Sequence, residues 1–544
     1  MSFQLRTSFY DSVVFRRPII FFTSLVLVMT TLVSGPAKAG RIIDPSTEAL
    51  GLLFTENMEL TSMTSAIFGR TDQTSALDWK LCSSVSDPIC QAADEVSIIQ
   101  FFAPCPTKDS VNCISSTWAK SKNGSRTEGV YQRHLPASGT GDFPGEPRMK
   151  LPSSKGAGYV VRFPGVEHSG GNDEYLIALR NQPTIWKKSG ESVASYEIGV
   201  QGIVGGITPI EVETGSYSPL RVKDGYGSDY GMGTTLDGST CVATDDGICA
   251  AARDFPSDFR FGMTIRLSQK LTGWFHGRIT TPVISTQSSD GVFQVSIEAN
   301  PVRVATLDFT VPTSTLSQEI KDMIFNGEEW GASGNNQGTR IVTGLEEERA
   351  QTLLRLFTPS FEDKATRTSE YWTFKTLGDF RDDSVRRCTD QSGLLAGVVT
   401  TNALLYSAGP PSFNSSESSL DYKVAAPHFE STGREASGTY DLLIRSDVAR
   451  CIYGFTKAPI RASLEVLSSD GNTKVATTTI NDEDGWLSMS AAGFGFSSPI
   501  LRARISQANS KNSRKATIVC RKGSAKKKIV AIKPECPKGW KRQS

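Results

Sequence analysis

The sequence predicts a mostly β protein. We expect two antiparallel β-sandwich-like domains, a small helical insert between them, and a short disulfide-closed basic hairpin at the C-terminus. Apolar and polar residues alternate in many short runs, which places each apolar set on one face of a sheet. Asp-Gly pairs between such runs suit two-residue hairpin turns. Ten cysteines, several at one repeated spacing, are typical of a disulfide-stapled protein in an oxidising compartment.

The 544 residues are too many for one hydrophobic core, so we expect several units. The predicted division is a signal peptide at 1–39, an N-terminal β-rich domain with disulfide-pinned loops at 40–313, a helical insert or linker at 314–385, a C-terminal β-sandwich domain at 386–510, and a basic disulfide-closed tail at 511–544.

The N-terminal segment has the pattern of a secretory signal peptide. Three arginines precede an apolar run over 19–33, and Ala37-Lys38-Ala39 follows it as a small-x-small cleavage site. We expect cleavage after Ala39, which would leave no transmembrane segment in the mature chain. The alternative is an uncleaved anchor, but the apolar run is short for a full membrane span. A secreted or cell-surface location is therefore predicted.

The cysteines fall into pairs along the chain. Three pairs each enclose seven residues, which indicates local disulfides that pin loops. Chain order suggests the other two pairs, although order alone does not prove connectivity. The predicted disulfides are Cys82–Cys90, Cys105–Cys113, Cys241–Cys249, Cys388–Cys451 and Cys520–Cys536. A zinc site is not expected, because no Cys-x2-Cys spacing or neighbouring His is present.

The N-terminal domain shows its strongest strand pattern at 259–267, where Phe, Met, Ile and Leu alternate with Arg and Thr. Similar runs begin near 159, 175, 196, 293 and 307. Residues 119–156 are polar and are predicted to form a long surface loop. The Gly- and Asp-rich segment 224–249 is also predicted to be a loop. Its carboxylates could bind calcium, but turn chemistry explains them equally well, so no metal is predicted.

A helix is predicted within 314–385. Thr343 and Glu346 have capping-box spacing, and apolar residues follow at helical spacing before Pro359. The apolar residues are Ala350, Leu353, Leu354 and Phe357.

The segment 440–505 is predicted to be strands joined by turns, with Asp470-Gly471 and Asp484-Gly485 as hairpin turns. The Cys388–Cys451 bridge would then tie the first strand of this domain to a central one.

Several of these segments resemble a family of large uncharacterised secreted proteins from actinobacteria. The resemblance rests on SDVARCIYGFTKAPI at 446–460, NDEDGWLSM at 481–489, FSSP at 496–499, and the closing CRKG and CPKGW motifs. DYKVAAPHF and LTGWFHGRI also resemble parts of these proteins. The resemblance implies secretion, but it implies no activity and no catalytic residue.

Sequence motifs for catalysis are absent. The four histidines are far apart in sequence, and neither His-Glu-x-x-His nor Gly-x-Ser-x-Gly occurs. Candidate ligand-binding aromatic residues are Trp274, His276, Tyr226 and Tyr230. Trp274 and His276 would form a loop platform that stacks on a sugar ring, or a tight turn at the core edge. No cofactor is predicted.

The basic tail at 511–544 is the most distinctive feature of the sequence. From 511 onward there are twelve Lys or Arg residues and one acid, whereas the remainder carries 46 basic and 56 acidic residues. Such a patch attracts polyanions, so an anionic cell-wall polymer or a surface glycan is the expected partner. The candidate polyanion-binding residues are Lys526, Lys527, Lys528, Lys533, Lys538, Lys541 and Arg542. Nucleic acid is not expected, because Trp540 is the only aromatic residue there. The alternative is a solubilising terminus without a partner.

These observations favour a non-catalytic binding or adhesion protein of the cell envelope. The alternatives are an extracellular polysaccharide-degrading enzyme on a β scaffold, with two close carboxylates, and a structural surface-layer component.

Overall fold

The computed structural model describes most of the chain after residue 48. The described residues are 49–56, 64–71, 79–137, 139, 141–188, 190–217, 220–223, 229–232, 241–325, 339–342, 348–377, 383–456, 460–467, 473–474, 477–496, 500–507, 516–523, 525–531, 536 and 539–542. Among the described residues the fold is mostly β, with 53% strand and 12% helix, so the predicted mostly β fold class is confirmed. None of the helices in these residues is long and apolar enough to cross a membrane.

The strands and helices have the following bounds. The first strands are β1 (Ala49–Phe54), β2 (Ala66–Arg70), β3 (Lys80–Cys82), β4 (Glu95–Phe101), β5 (Cys113–Ser121), β6 (Arg126–Glu128), β7 (Val130–His134), β8 (Tyr159–Arg162), β9 (Glu174–Asn181), β10 (Thr184–Trp186) and β11 (Val204–Thr214). The next are β12 (Leu220–Lys223), β13 (Asp229–Met232), β14 (Ala243–Asp245), β15 (Ile248–Ala252), β16 (Phe259–Leu267), β17 (Gly273–Ser289), β18 (Val292–Pro312), β19 (Thr339–Val342), β20 (Arg367–Leu377), β21 (Leu395–Thr401), β22 (Leu405–Tyr406) and β23 (Ser412–Asn414). The last are β24 (Ser419–Ala425), β25 (Gly438–Arg445), β26 (Ile460–Leu467), β27 (Thr473–Lys474), β28 (Thr477–Glu483), β29 (Trp486–Phe494), β30 (Ile500–Gln507), β31 (Ala516–Lys522), β32 (Ala525–Ala531) and β33 (Lys541–Arg542). The helices are α1 (Pro88–Ala92), α2 (Gln318–Phe325), α3 (Glu348–Phe357), α4 (Asp383–Ser392) and α5 (Ser446–Tyr453).

One large sheet, here called the main sheet, organises the molecule. Its strands lie in the order β7-β8-β9-β11-β20-β17-β21-β25-β29-β28. Neighbouring strands are antiparallel except β17 and β21, which run parallel. Pairing of β17 with β21 joins the segments before and after the predicted domain boundary at residue 386, so hydrogen-bonded strands cross that boundary.

A second sheet packs on one face of the main sheet. It has the order β6-β5-β16-β18-β17, and the long strand β17 continues into it from the main sheet. The alternation predicted at 259–267 forms β16, whose Phe261, Met263 and Ile265 are buried. These side chains join a core with residues of the main sheet such as Tyr175 and Phe374.

The other face of the main sheet carries the largest core. A smaller sheet covers it, in which β30 pairs with both β24 and β26. Helix α3 adds the four apolar residues predicted from helical spacing, all of them buried there. The predicted capping box at Thr343 and Glu346 lies outside the described residues. The predicted helical segment 314–385 also contains β20, which lies in the middle of the main sheet.

A buried arginine ties three parts of this face together. Arg278 on β17 forms an ion pair with Glu56, which follows β1, and its Nε lies 2.6 Å from the Glu56 carboxylate. The rest of the guanidinium donates to the backbone carbonyls of Thr401, at the end of β21, and of Ala403 and Leu404, in the connection to β22. Its five N–H groups therefore have partners, as a fully buried arginine requires.

All five predicted disulfides are present. The bridge between Cys388 and Cys451 has a different context from the one predicted, because it joins helix α4 to helix α5 and not two strands. The segment SDVARCIY forms α5, which buries Val448, Ala449 and Ile452 on one side. The sequence pattern predicts strand here because an eight-residue amphipathic helix directly after a strand gives little periodic signal.

Other segments also differ from the prediction. Residues 119–156 contain β6 and β7, and the segment 224–249 contains β13 and β14. The strand predicted near 196 is wrong, because residues 193–195 form a 3-10 turn and an irregular segment follows. Asp484 and Gly485 both have positive φ between β28 and β29, which confirms the predicted turn. Asp470 and Gly471 lie outside the described residues.

Candidate functional site

The C-terminal cysteine loop forms a small three-stranded antiparallel sheet. Its strands lie in the order β32-β31-β33, and the disulfide from Cys520 to Cys536 holds the centre strand. This confirms the two strands and the bridge predicted from sequence. In such a sheet, directly opposed residues point to the same face, so the pairing register assigns each side chain to a face.

One face of this hairpin is cationic. Arg521 on the centre strand lies opposite Lys526 on one side and Lys541 on the other. All three are exposed, and so is Lys528, which lies opposite Val519 on the same face. Strands are about 4.8 Å apart, so the three opposed cations form a row about 10 Å long. We call this surface the Arg521 face.

The opposite surface, the Cys520 face, has a different character. Ile518 and Cys520 lie on it and are buried. Lys527 and Arg542 lie opposite Cys520 and are exposed. The apolar contacts of the hairpin are therefore on the Cys520 face, whereas the Arg521 face presents charge to solvent.

Strands β31 and β32 carry no carboxylate side chain that could neutralise the Arg521 face. Residues 516–531 contain no Asp or Glu. Like charges directly opposite each other in a sheet are destabilising, by up to about 1 kcal/mol for each pair. An arrangement that lowers stability without an internal benefit is characteristic of a functional surface. What it can do chemically is hold a chain of anions.

The sequence prediction omitted the residue at the centre of this face. Arg521 directly follows Cys520 and is not among the candidate polyanion-binding residues predicted from the sequence. Strand alternation was the signal that could have identified it, since Arg521 must face away from Cys520. Of the predicted cations, Lys526, Lys527, Lys528, Lys541 and Arg542 are exposed, whereas Lys533 and Lys538 lie outside the described residues.

The predicted aromatic platform is placed differently. Trp274 and His276 lie in strand β17 and not in a loop or tight turn. Both are buried, at 0% and 2% exposure, and the Trp274 indole donates to the Thr389 hydroxyl at 3.0 Å. Neither ring is available to stack on a sugar from solution.

His276 belongs to a buried polar cluster beside Arg278. Its ring stacks on Tyr406, with 3.9 Å between centroids, and Lys375 lies opposite it on β20. Burial, together with the positive charges of Arg278 and Lys375, lowers the pKa of His276 well below its usual value. Its Nε2 atom is buried and has no hydrogen-bond partner in the described part of the chain. His276 is therefore neutral at physiological pH.

The structure does not describe the side chains of the other two predicted ligand-binding residues. Tyr226 lies outside the described residues. Tyr230 lies in β13, where only the backbone is described. Among the residues that the structure describes, no group of three or more His, Cys, Asp or Glu side chains could hold a metal ion.

In comparisons with known proteins, no protein family matches the chain, and no curated protein matches it significantly.

Proposed function

We propose that this chain is a secreted, cell-envelope-associated binding protein whose C-terminal hairpin holds it to an anionic wall polymer. The Arg521 face carries the proposal, because Lys526, Arg521 and Lys541 form a row of exposed cations. Exposed cations at this spacing attract a polyanion, and salt weakens the attraction by screening it.

Charge distribution over the whole chain supports the same proposal. The tail from 511 has a net charge of +11, whereas the remainder is acidic. An acidic body is repelled by an anionic wall, so contact through the tail would orient the protein with its hairpin towards the wall.

Export is part of the proposal. Five disulfides support an oxidising compartment, and the segment 1–39 has the signal-peptide pattern described above. We also propose the relationship to secreted actinobacterial proteins on the motifs quoted above. N-terminal sequencing of the protein isolated from its host tests the export step, with Gly40 expected as the first residue.

Binding is tested with the full-length mature protein and a chain lacking residues 511–544. Purified anionic cell-wall polymer is the probe, at 0.05 M and 0.5 M NaCl. We expect the full chain to bind at low salt and to dissociate at high salt, and the shortened chain to stay unbound. Equal binding by the two chains would remove the hairpin from the proposed function.

A further inference from the structure

We propose that the hairpin binds its ligand with one face, and that the ligand is a polymer whose charges are phosphate groups. Arg521 would contact a phosphate at the centre, and Lys526 and Lys541 would contact the phosphates on either side. This inference rests on the proposed function, since it names the face and the ligand class of the same site.

The pairing register is the first step of the argument. Three cations in one row across adjacent strands can meet successive charges of one extended chain that crosses the strands. The Cys520 face offers no such row, because the buried Cys520 separates Lys527 from Arg542 there. Both faces carry exposed cations, but on the Arg521 face no buried residue separates them.

The central arginine is the second step. Arg521 is exposed, and within the described residues its guanidinium donates from Nε to the Gly523 carbonyl, at 3.2 Å. A guanidinium has five donors in a fixed plane and binds the oxygens of a phosphate in a bidentate manner. A lysine offers a point charge instead. An arginine between two lysines therefore suits a central phosphate with flanking charges.

The experiment compares two double variants that remove the same charge from different faces. Lys526→Gln/Lys541→Gln alters the Arg521 face, and Lys527→Gln/Arg542→Gln alters the Cys520 face. All four side chains are exposed, so we expect both variants to fold and to keep the Cys520–Cys536 bridge, which a thiol assay checks. Binding to inorganic polyphosphate is measured between 0.05 M and 0.5 M salt.

The expected difference follows from counterion release. Each phosphate contact on a single strand contributes about 0.7 to the slope of log affinity against log salt concentration. At 0.1 M salt, one contact therefore contributes about a factor of five to the affinity. Loss of two contacts in the Lys526→Gln/Lys541→Gln variant should therefore weaken binding about 25-fold and lower the slope by about 1.4. The affinity of the Lys527→Gln/Arg542→Gln variant should stay within about threefold of that of the unaltered protein, because Lys527 and Arg542 do not belong to the row.

Two further measurements test the ligand class. Arg521→Lys keeps the charge, so its salt slope should be unchanged while its affinity for polyphosphate falls about three- to tenfold. Hyaluronate, which spaces its carboxylates one per disaccharide, should bind more weakly than polyphosphate.

The outcomes separate the two proposals. Equal loss in the two double variants would overturn the one-face inference and leave the proposed function standing. Unchanged affinity in Arg521→Lys, or equal binding of hyaluronate, would overturn the phosphate assignment. No salt-sensitive binding of any polyanion by the unaltered chain would overturn both.

Discussion

Removal of the carboxylate beside Arg278 should destabilise the protein strongly. In Glu56→Gln, the guanidinium keeps its hydrogen bonds to the carbonyls of Thr401, Ala403 and Leu404 but loses its countercharge. Breaking a buried ion pair by removing one partner costs about 3–5 kcal/mol. Because three hydrogen bonds remain, we expect the lower end, about 3 kcal/mol. Arg278→Met should reach the upper end, because it leaves a buried carboxylate and three buried carbonyls without donors.

The assay is urea unfolding at pH 7.5, with hydrogen exchange of residues 401–404 as a local readout. Glu128→Gln is the matched control, because Glu128 pairs with Arg126 on the surface, where both side chains are about half exposed. Exposed pairs contribute about 0–1 kcal/mol, so this variant should unfold like the unaltered protein. If Glu56→Gln and Glu128→Gln had the same effect, the view of Arg278 as the tie between β17, Glu56 and the β21–β22 connection would be refuted.

Three further predictions concern the same core and its staples. Burial lowers the pKa of His276, so below about pH 6.5 the unfolded chain takes up a proton at this side chain and the folded chain does not. The free energy of unfolding should therefore fall as the pH drops below about 6.5. Urea unfolding at several pH values should show a shallower fall in His276→Phe. Replacement of both Cys388 and Cys451 by Ala should cost about 4 kcal/mol in the loop-entropy model, against about 2–3 kcal/mol for any of the three short-loop disulfides, because this bridge spans 63 residues and they span 8; equal losses in thermal unfolding would contradict the loop-length argument. Gly397→Ala should lower stability by about 1–3 kcal/mol, since the new Cβ would overlap the buried Trp274 ring, and an unchanged melting temperature would show that the ring can move aside.

Alternation predicted strands well where the apolar set faces a core. In β16 the apolar Phe261, Met263 and Ile265 are buried, whereas Arg260 and Arg266 are partly exposed. The turn at Asp484-Gly485 was predictable for another reason, since its positive φ values are a local property of the two residues. The strand signal was missed in β20, because most of its residues are polar or half-buried although it lies centrally in the main sheet. Its position depends on pairing with β17, for example of Trp274 with Leu377, and periodicity does not report pairing between such distant segments.

Burial of polar residues was the second feature that could not be predicted from the sequence pattern. Trp274, His276 and Arg278 form an alternating set in a sequence rich in Gly and aromatic residues, a composition that predicts a loop platform or a tight turn. The structure buries all three on one strand face, and distant segments supply the partners of two of them: Glu56 and three backbone carbonyls for Arg278, and Thr389 for Trp274. Cysteine pairing was predicted fully, since spacing and chain order are properties of the sequence itself.

In the cationic hairpin, the same opposed charges lower stability and favour polyanion binding, and this opposition can be tested directly. The two opposed like-charge pairs around Arg521 cost up to about 1 kcal/mol each. The Cys520–Cys536 loop, with a separation of 16 residues, contributes about 3 kcal/mol in the loop-entropy model, which offsets that repulsion. Arg521→Glu would replace two repulsions by two attractions. We therefore expect slower hydrogen exchange in 516–531 and loss of polyanion binding in the same variant, while Arg521→Gln should fall between the two in both measurements. Faster exchange in Arg521→Glu would mean that the cations are held by contacts other than the opposed pairing described here.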